Sequence, residues 1–511
     1  MTDKHTTTRR TALTTIGAAA ASVAGCLGND TDDGDGTFRI GSPWNANRDP
    51  LDGGHTLRRV GITEALVGVD DTAEPVPELA AEWQRIDELS WRFTLRDGVR
   101  FHDGEPLEAG AVVDSLRRTA ESNAFASVPI GTVEPDGESA LRVTTREPFS
   151  PLPAHLSRNE AAVLAPASFE GGELLEPVST GPFVFESLRP GSELRAVRND
   201  DYYGPTPAIE AVRYEVVEDD QTRRIKLESG ELEMARILPN GTVDPLESDP
   251  DIDVYTPEIP RIRFLTFDTE SAPFADPRAR RAVAYAVDRA AITDSILEGV
   301  DNPAVGPLSP ELTDWAPDDL EGDTHDTERA AALLEAAGWV ESDGGRSRNG
   351  DRLAVELLTF DARQLPLIAE VIQDQLGAVG IDVDVRVVEY GSMLDRVEND
   401  AFDAYLTSWG TLWYPDPDRL TEMFHSEAAS LHHGYENDEV DALLEAARAI
   451  GDRTERRERY HDVQSKVVED APIVALTNYT NVIATAAGVE GYTPHPTEVK
   501  YGLENVEYSP E

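Results

Sequence analysis

The chain has 511 residues, of which 97 are Asp or Glu against 45 Lys or Arg, for a formal net charge of −52, and it has a single cysteine. The acids are scattered along the whole length and leave no basic footprint, which excludes nucleic acid as a partner, and one cysteine excludes an intrachain disulfide. A hydrophobic content of 40% with seven tryptophans excludes an unfolded acidic chain, and the length predicts two or three domains.

Acidity of this density repels itself in dilute buffer but is screened in molar salt, where the Debye length falls to about 3 Å. Few lysines among many Asp, Glu and Ala therefore predict a protein of an extreme halophile, of archaeal type. At the amino terminus Arg9-Arg10 precedes an apolar run from Thr11 to Ala24, shorter than the roughly 20 residues that cross a bilayer. This pattern resembles a twin-arginine export signal over residues 1–25. Val23-Ala24-Gly25-Cys26 resembles a lipobox, with cleavage before Cys26 and lipid on its sulfur, and residues 26–37 read as an acidic tether. The expectation is a chain held at the extracellular face of the cell membrane by lipid, without spanning it.

Folded sequence is expected from Phe38 onward. Trp91, Phe93 and Leu95 alternate with Arg92, Thr94 and Arg96 as in a half-buried strand, and Asp97-Gly98 makes a tight turn. Val99 and Phe101 resume the alternation, Asp103-Gly104 turns again, and Pro106 and Glu108 open a helix with Val112, Val113 and Leu116 on its apolar face. Residues 91–118 thus predict strand, turn, strand, turn, helix. Leu141, Val143 and Thr145 alternate as a further strand. Asp276 is a good N-cap before Pro277, and Val283, Ala286 and Val287 share a helical face, with Gly299 as the stop. Asp326-Thr327 caps a helix from Glu328 to Ala337. Ile368, Val371, Ile372 and Leu376 fall at helical spacing, and Val383, Val385 and Val387 alternate. Met393, Leu394 and Val397 predict another helix, and residues 402–409 another strand, so helices alternate with strands in an α/β lobe. From Ile473 onward there are strand-like patches and no long helix.

Several of these stretches resemble one family. Leu79, Ala80 and Trp83, then Phe93-Thr94-Leu95-Arg96 and Phe101-His102-Asp103-Gly104, resemble the signature of the family 5 solute-binding proteins, the extracellular receptors of peptide, nickel and related ABC importers. Ser179-Thr180-Gly181-Pro182, Arg198 to Gly204, Leu227 to Glu233 and the stretch 273–289 follow in the family's order. The resemblance implies an α/β, two-lobed periplasmic-binding-protein-like fold with a hinge and an extra subdomain on lobe one. Lobe I would occupy 38–264 with the subdomain at about 75–177, lobe II 265–478, and 479–511 would return to lobe I. Hinge crossings are expected near 259–268 and 474–484, with ligand in the cleft driving closure. The resemblance also implies a monomer, without a cofactor, that serves ABC permease and ATPase subunits and takes a peptide-like or metal-chelate ligand.

The site residues are read against that family. Leu412-Trp413 stand where peptide-binding members carry the Asp that accepts the ligand's α-ammonium, which leaves Asp416 or Asp418 to take its place. Trp409, Trp413 and Tyr414 offer surfaces for stacking or cation–π contact. Trp409 reads equally as core, whereas Tyr414 beside Pro415 is expected to face the cleft. Arg158 stands where nickel-type members carry an arginine that binds the carboxylates of a metal-chelating small molecule, and a surface arginine is its bland alternative. His55 is a further candidate for the cleft. His425, His432 and His433 could complete a nickel or zinc site, or simply populate a polar loop. His102 and Asp103 read as parts of a structural turn. An exported hydrolase or a ligand sensor on the same fold is the competing function. The hydrolase finds no G-x-S-x-G, H-E-x-x-H or phosphate-loop motif to support it.

Overall fold

Phe38 and Ile40 alternate along Thr37–Ser42 and are buried, and this strand pairs in parallel with Ala211–Val216 on one side and Met234–Arg236 on the other. It lies at the centre of a seven-stranded sheet, the floor of the first lobe. The computed structural model describes residues 36–412, 414–431 and 433–508, all within one compact unit. The segment expected to be an export signal and most of the expected tether, with Cys26, and also Trp413 and His432, lie outside the described residues.

A six-stranded sheet forms the second lobe. Its Ala354–Phe360 strand runs parallel to both Asp382–Val388 and Ala404–Gly410, the arrangement that the alternating helix and strand patterns call for. Helix Leu365–Ala378 lays Ile368, Ile372 and Leu376 against this sheet, in a core that also holds Leu357, Val383 and Leu406. The chain passes from the first sheet to the second between Tyr255 and Glu258, and returns between Thr480 and Ile483. Strands Glu258–Phe267 and Ile473–Thr480 pair antiparallel, so the two crossings are neighbours and form one hinge.

The stretch 91–118 departs from its sequence pattern in one respect. Ser90–Leu95 is a strand, and Ala109–Ala120 is a helix that buries Val112, Val113 and Leu116. Between them Val99 and Phe101 are buried, but only an isolated bridge, Arg100 to Pro106, forms. The expected hairpin is precluded because Ser90–Leu95 is paired on both edges, by Ala80–Arg85 and by Ala140–Thr145, within a four-stranded sheet. Burial alone therefore produced the alternation at 99–101.

His102 shows what the FHDG stretch does. Its Nε2 lies 3.0 Å from the Gly181 carbonyl, and its Nδ1 accepts the Ser179 N–H at 3.3 Å. One ring thus ties the subdomain's turn to Ser179-Thr180-Gly181-Pro182, where the chain re-enters the first sheet. The helix after Asp276 also differs from expectation. It ends at Ala286, and Asp288 caps a second helix, Arg289–Ser295, by accepting from Ala291 N–H. A second N-cap residue inside the apolar pattern allowed the break.

Candidate functional site

Where the subdomain of the first lobe meets the second lobe, both surfaces are polar and buried. Helix Leu152–His155 presents His155, which is inaccessible to solvent, and the 3₁₀ turn after it starts from Arg158. From the second lobe come the loop after strand Ala404–Gly410, with Tyr414 and Asp418, and the end of helix Asp438–Ala449, with Arg448. Asp418 receives His155 Nε2 at 3.0 Å and both edges of the Arg448 guanidinium, at 2.6 and 3.1 Å. Arg158 Nη1 lies 3.5 Å from the other ring nitrogen of His155. The tautomer follows from these partners: His155 carries its proton on Nε2 and donates it to Asp418.

Burial would raise the Asp418 carboxyl, but Arg448 and the His155 hydrogen bond outweigh it and hold the group well below the ordinary carboxylate range. Burial keeps His155 neutral, below its ordinary 6.5, against the pull of Asp418. The result is a continuous chain, Arg158–His155–Asp418–Arg448, that joins the two lobes. Backbone and surface contacts extend it, with Ser150 N–H donating to the Arg448 carbonyl at 2.7 Å and Ser127 Oγ to Glu422 at 3.2 Å.

Arg158 is 7% exposed, which removes the surface-arginine alternative. Its Nη2 donates to the Ala124 carbonyl at 2.8 Å, and its fork faces Glu160 at 3.3 and 3.4 Å. The guanidinium also stands 4.6 Å from the Phe125 ring centre and 5.7 Å from that of Tyr414. Tyr414, expected to face an open cleft, is 1% exposed, with its ring centre 4.1 Å from that of His155. The first lobe covers it, a burial set by tertiary contact and invisible in the local sequence. Trp409 is half-buried beneath Arg419, 4.0 Å from ring centre to guanidinium, and packs on the core of the second lobe. His55 opens a short helix, and its Nδ1 meets Asn159 Nδ2 at 3.1 Å, so it joins the same interlobe region next to Arg158.

One sequence expectation fails here. Asp416 and Asp418, considered as ammonium anchors, are both bound by arginines, Asp416 by Arg456 at 2.8 Å and Asp418 by Arg448. Their charge is already matched, so neither is offered to a ligand cation. Of the three clustered histidines, two are described. His433 is buried with Nε2 2.6 Å from the Met423 carbonyl and Nδ1 accepting Tyr435 N–H, while His425 faces Glu445 and Asp441 on a neighbouring helix. Among the described residues no three His, Cys, Asp or Glu are grouped to hold a metal ion. Sequence reasoning missed His155 and Arg448, because each matters only through a partner in the other lobe.

Two lobes, one hinge and a buried polar seam between them define the class of protein: a two-lobed, periplasmic-binding-protein-like fold. Residues 74–431 match the model of the bacterial extracellular solute-binding proteins, family 5, and the chain belongs to that family. It is 31% identical over 459 residues to Protein XP55 of Streptomyces lividans, covering 84% of this chain and 81% of that one. It is 26% identical over 467 residues to the oligopeptide-binding protein AppA of Bacillus subtilis, covering 86% and 84%. The crystal structure of a nickel ABC transporter protein from Bacillus halodurans superimposes with a TM-score of 0.76 at 27% identity, covering 92% of this chain and 99% of that one.

Proposed function

We propose that the protein is the receptor subunit of an ABC importer, held at the extracellular face of the membrane by lipid on Cys26, and that it captures peptide-like or metal-chelate small molecules between its lobes for transfer to permease and ATPase subunits. The observation that carries this reading is the buried chain Arg158–His155–Asp418–Arg448, which spans the seam between two lobes hinged at adjacent crossings. Polar groups of this kind need partners when buried, so lobe opening exposes them to solvent and to cargo, and closure must satisfy them again. The relatives support the cargo class, since one is named for oligopeptide binding and another for nickel transport.

In this reading Arg158 meets a carboxylate of the cargo in exchange for Glu160, and its apolar parts lie against Tyr414, Trp409 and Trp413, with His55 at the edge of the site. The test is a thermal-shift screen in about 3 M KCl against peptides, nickel chelates and sugars, since a solute at 100 times its dissociation constant adds about 2.7 kcal/mol of stability. A cargo should raise the melting temperature and contract the scattering envelope, and a panel that does neither counts against the receptor reading. For the anchor, Cys26→Ser should release the protein to the medium or leave it uncleaved. A variant as mature and membrane-bound as wild type would remove lipidation.

A further inference from the structure

A second contact between the lobes lies beside the hinge, apart from the Arg158 seam, and it is built on Asp301. This residue follows helix Arg289–Ser295 of the second lobe and is buried. Arg263, on strand Glu258–Phe267, forms a buried ion pair with its carboxylate. Thr477 Oγ1 donates to it at 2.9 Å and Thr480 N–H at 3.3 Å, both from strand Ile473–Thr480. The remaining donor comes from the first lobe. Asn240 Nδ2 lies 3.3 Å from the carboxylate and also donates to the Leu297 carbonyl at 3.1 Å. One carboxylate therefore holds both strands that carry the chain across the hinge, and the opposite lobe as well.

Apolar packing follows the same line. Leu297 belongs to the core of the second lobe. Just beyond it, the half-buried Val300 packs against a cluster of the first lobe that contains Leu238, Leu246 and Ala484. Leu238 N–H donates to the Val482 carbonyl at 3.1 Å, within the return crossing. Asn481 N–H donates to the Pro257 carbonyl at 2.9 Å and so joins the two crossings. The 3₁₀ turn Asn240–Thr242 is thus fastened to the hinge itself.

The backbone is strained on both sides of this contact. Ile237 has φ of 56°, a left-handed value that a β-branched residue rarely takes, and Glu298 has φ of 53°. Arg223 Nη2 donates to the Ile237 carbonyl at 2.7 Å, and Gly241 lets the turn approach Glu298, since a Cβ there would lie 2.7 Å from Glu298 Oε1. Conformations of this kind persist only where surrounding contacts fix them, so the boundary at Asn240 is stiff.

We propose that Asp301 is the pivot of the hinge: its carboxylate stays bound to Asn240 as the lobes open, while the Arg158–His155–Asp418–Arg448 seam parts. This deepens the receptor reading and rests on its opening and closing lobes. The two contacts differ in what opening costs them. The seam's polar side chains can exchange their partners for water, whereas Val300 would expose apolar surface and Asp301 would lose a donor from a buried site. A pivot confines the lobes to one arc, so that closure brings the seam back into register.

Paired spin labels test the pivot. Cys26 is the only cysteine, so the full chain with Cys26→Ser can carry labels at Glu121→Cys in the first lobe and Glu398→Cys in the second, both exposed. Pulsed electron resonance in about 3 M KCl then reads the distribution of interlobe distances. Asn240→Ala and Val300→Ala should each broaden that distribution and add distances that wild type lacks. Asp418→Asn, which weakens the seam, should only shift weight among the wild-type distances. Val300→Ala, a mild truncation at a half-buried site, carries the test should Asn240→Ala fail to fold. A wild-type distribution in folded Asn240→Ala or in Val300→Ala, with weight still shifted by Asp418→Asn, overturns the pivot alone. Broadening by Asp418→Asn as large as theirs overturns it too. A single distance that no variant alters, Asp418→Asn included, overturns the pivot together with the receptor reading.

Discussion

Arg158 changes its meaning once its surroundings are known. From sequence it reads as a cleft arginine whose loss costs affinity and leaves the ligand-free protein as stable as before. In the structure it neutralises Glu160 in a buried pair and lies over two aromatic rings. Arg158→Ala should therefore destabilise the ligand-free protein by about 3 kcal/mol, because it strands a buried carboxylate. The Arg158→Ala/Glu160→Ala double variant should recover part of that loss. Denaturant unfolding checks both, and single and double variants of equal stability would show that the pair is not coupled. Tyr414 makes a sharper case. Its ring is buried against His155, while its hydroxyl has no hydrogen-bond partner among the described residues. Tyr414→Phe should thus change stability by less than about 1 kcal/mol, whereas Tyr414→Ala should cost about 3–5 kcal/mol, as for other large aromatics removed from a packed site. A Phe variant as unstable as the Ala variant would mean that the hydroxyl, and not the ring, holds the seam.

At the scale of elements, the FHDG turn and the STGP stretch form one joint. His102 takes both its hydrogen bonds from the latter, and Gly181 allows the backbones to meet: a Cβ there would lie 2.7 Å from the Ile62 carbonyl oxygen and closer still to that of Gly61. Both neighbours are backbone atoms, so the crowding has no side chain to relax into. Gly181→Ala should cost about 2 kcal/mol or more, at the level of core overpacking, and should loosen the subdomain against the first sheet. Hydrogen exchange at Ser90–Leu95 and Phe183–Arg189 would report that loosening, and protection equal to wild type in both strands would refute the joint.

Over the whole molecule two electrostatic scales act together. The net charge of −52 is spread over the chain, so self-repulsion depends on salt, while the seam is buried and depends on pH. The melting temperature should rise steeply between about 0.1 and about 3 M KCl as the Debye length falls from about 10 to about 3 Å. A flat profile would remove the halophile inference. His155 is neutral when the lobes are closed and returns toward its ordinary 6.5 when it is exposed. Its contribution is fully present above that value and is lost as pH falls below it, because only the open or unfolded form takes up the proton. Asp418, depressed below its ordinary 3.8, loses its contribution only in stronger acid. Between about pH 7 and about pH 5, stability should therefore fall more in wild type than in His155→Gln, which keeps a donor to Asp418 and does not titrate. Parallel pH profiles would show that the seam's histidine does not govern it.

The sequence alone determined what depends on local pattern. Periods of two and 3.6 located Ser90–Leu95, Ala109–Ala120 and Leu365–Ala378, the caps Asp276 and Asp326 located two helix starts to within a residue, and fixed motif spacing identified the family. Local pattern also misled where burial mimicked a strand, at Val99 and Phe101, and where a second cap at Asp288 divided a helix. The tertiary structure decided how charges were matched. His155 and Asp418 are 263 residues apart, and Arg261 and Glu498 237 apart. Whether a charged side chain is already matched, as Asp416 is by Arg456 and Asp418 by Arg448, depends on what the tertiary fold packs against it. Coulomb energy and desolvation act through space, and one-dimensional spacing does not encode that distance.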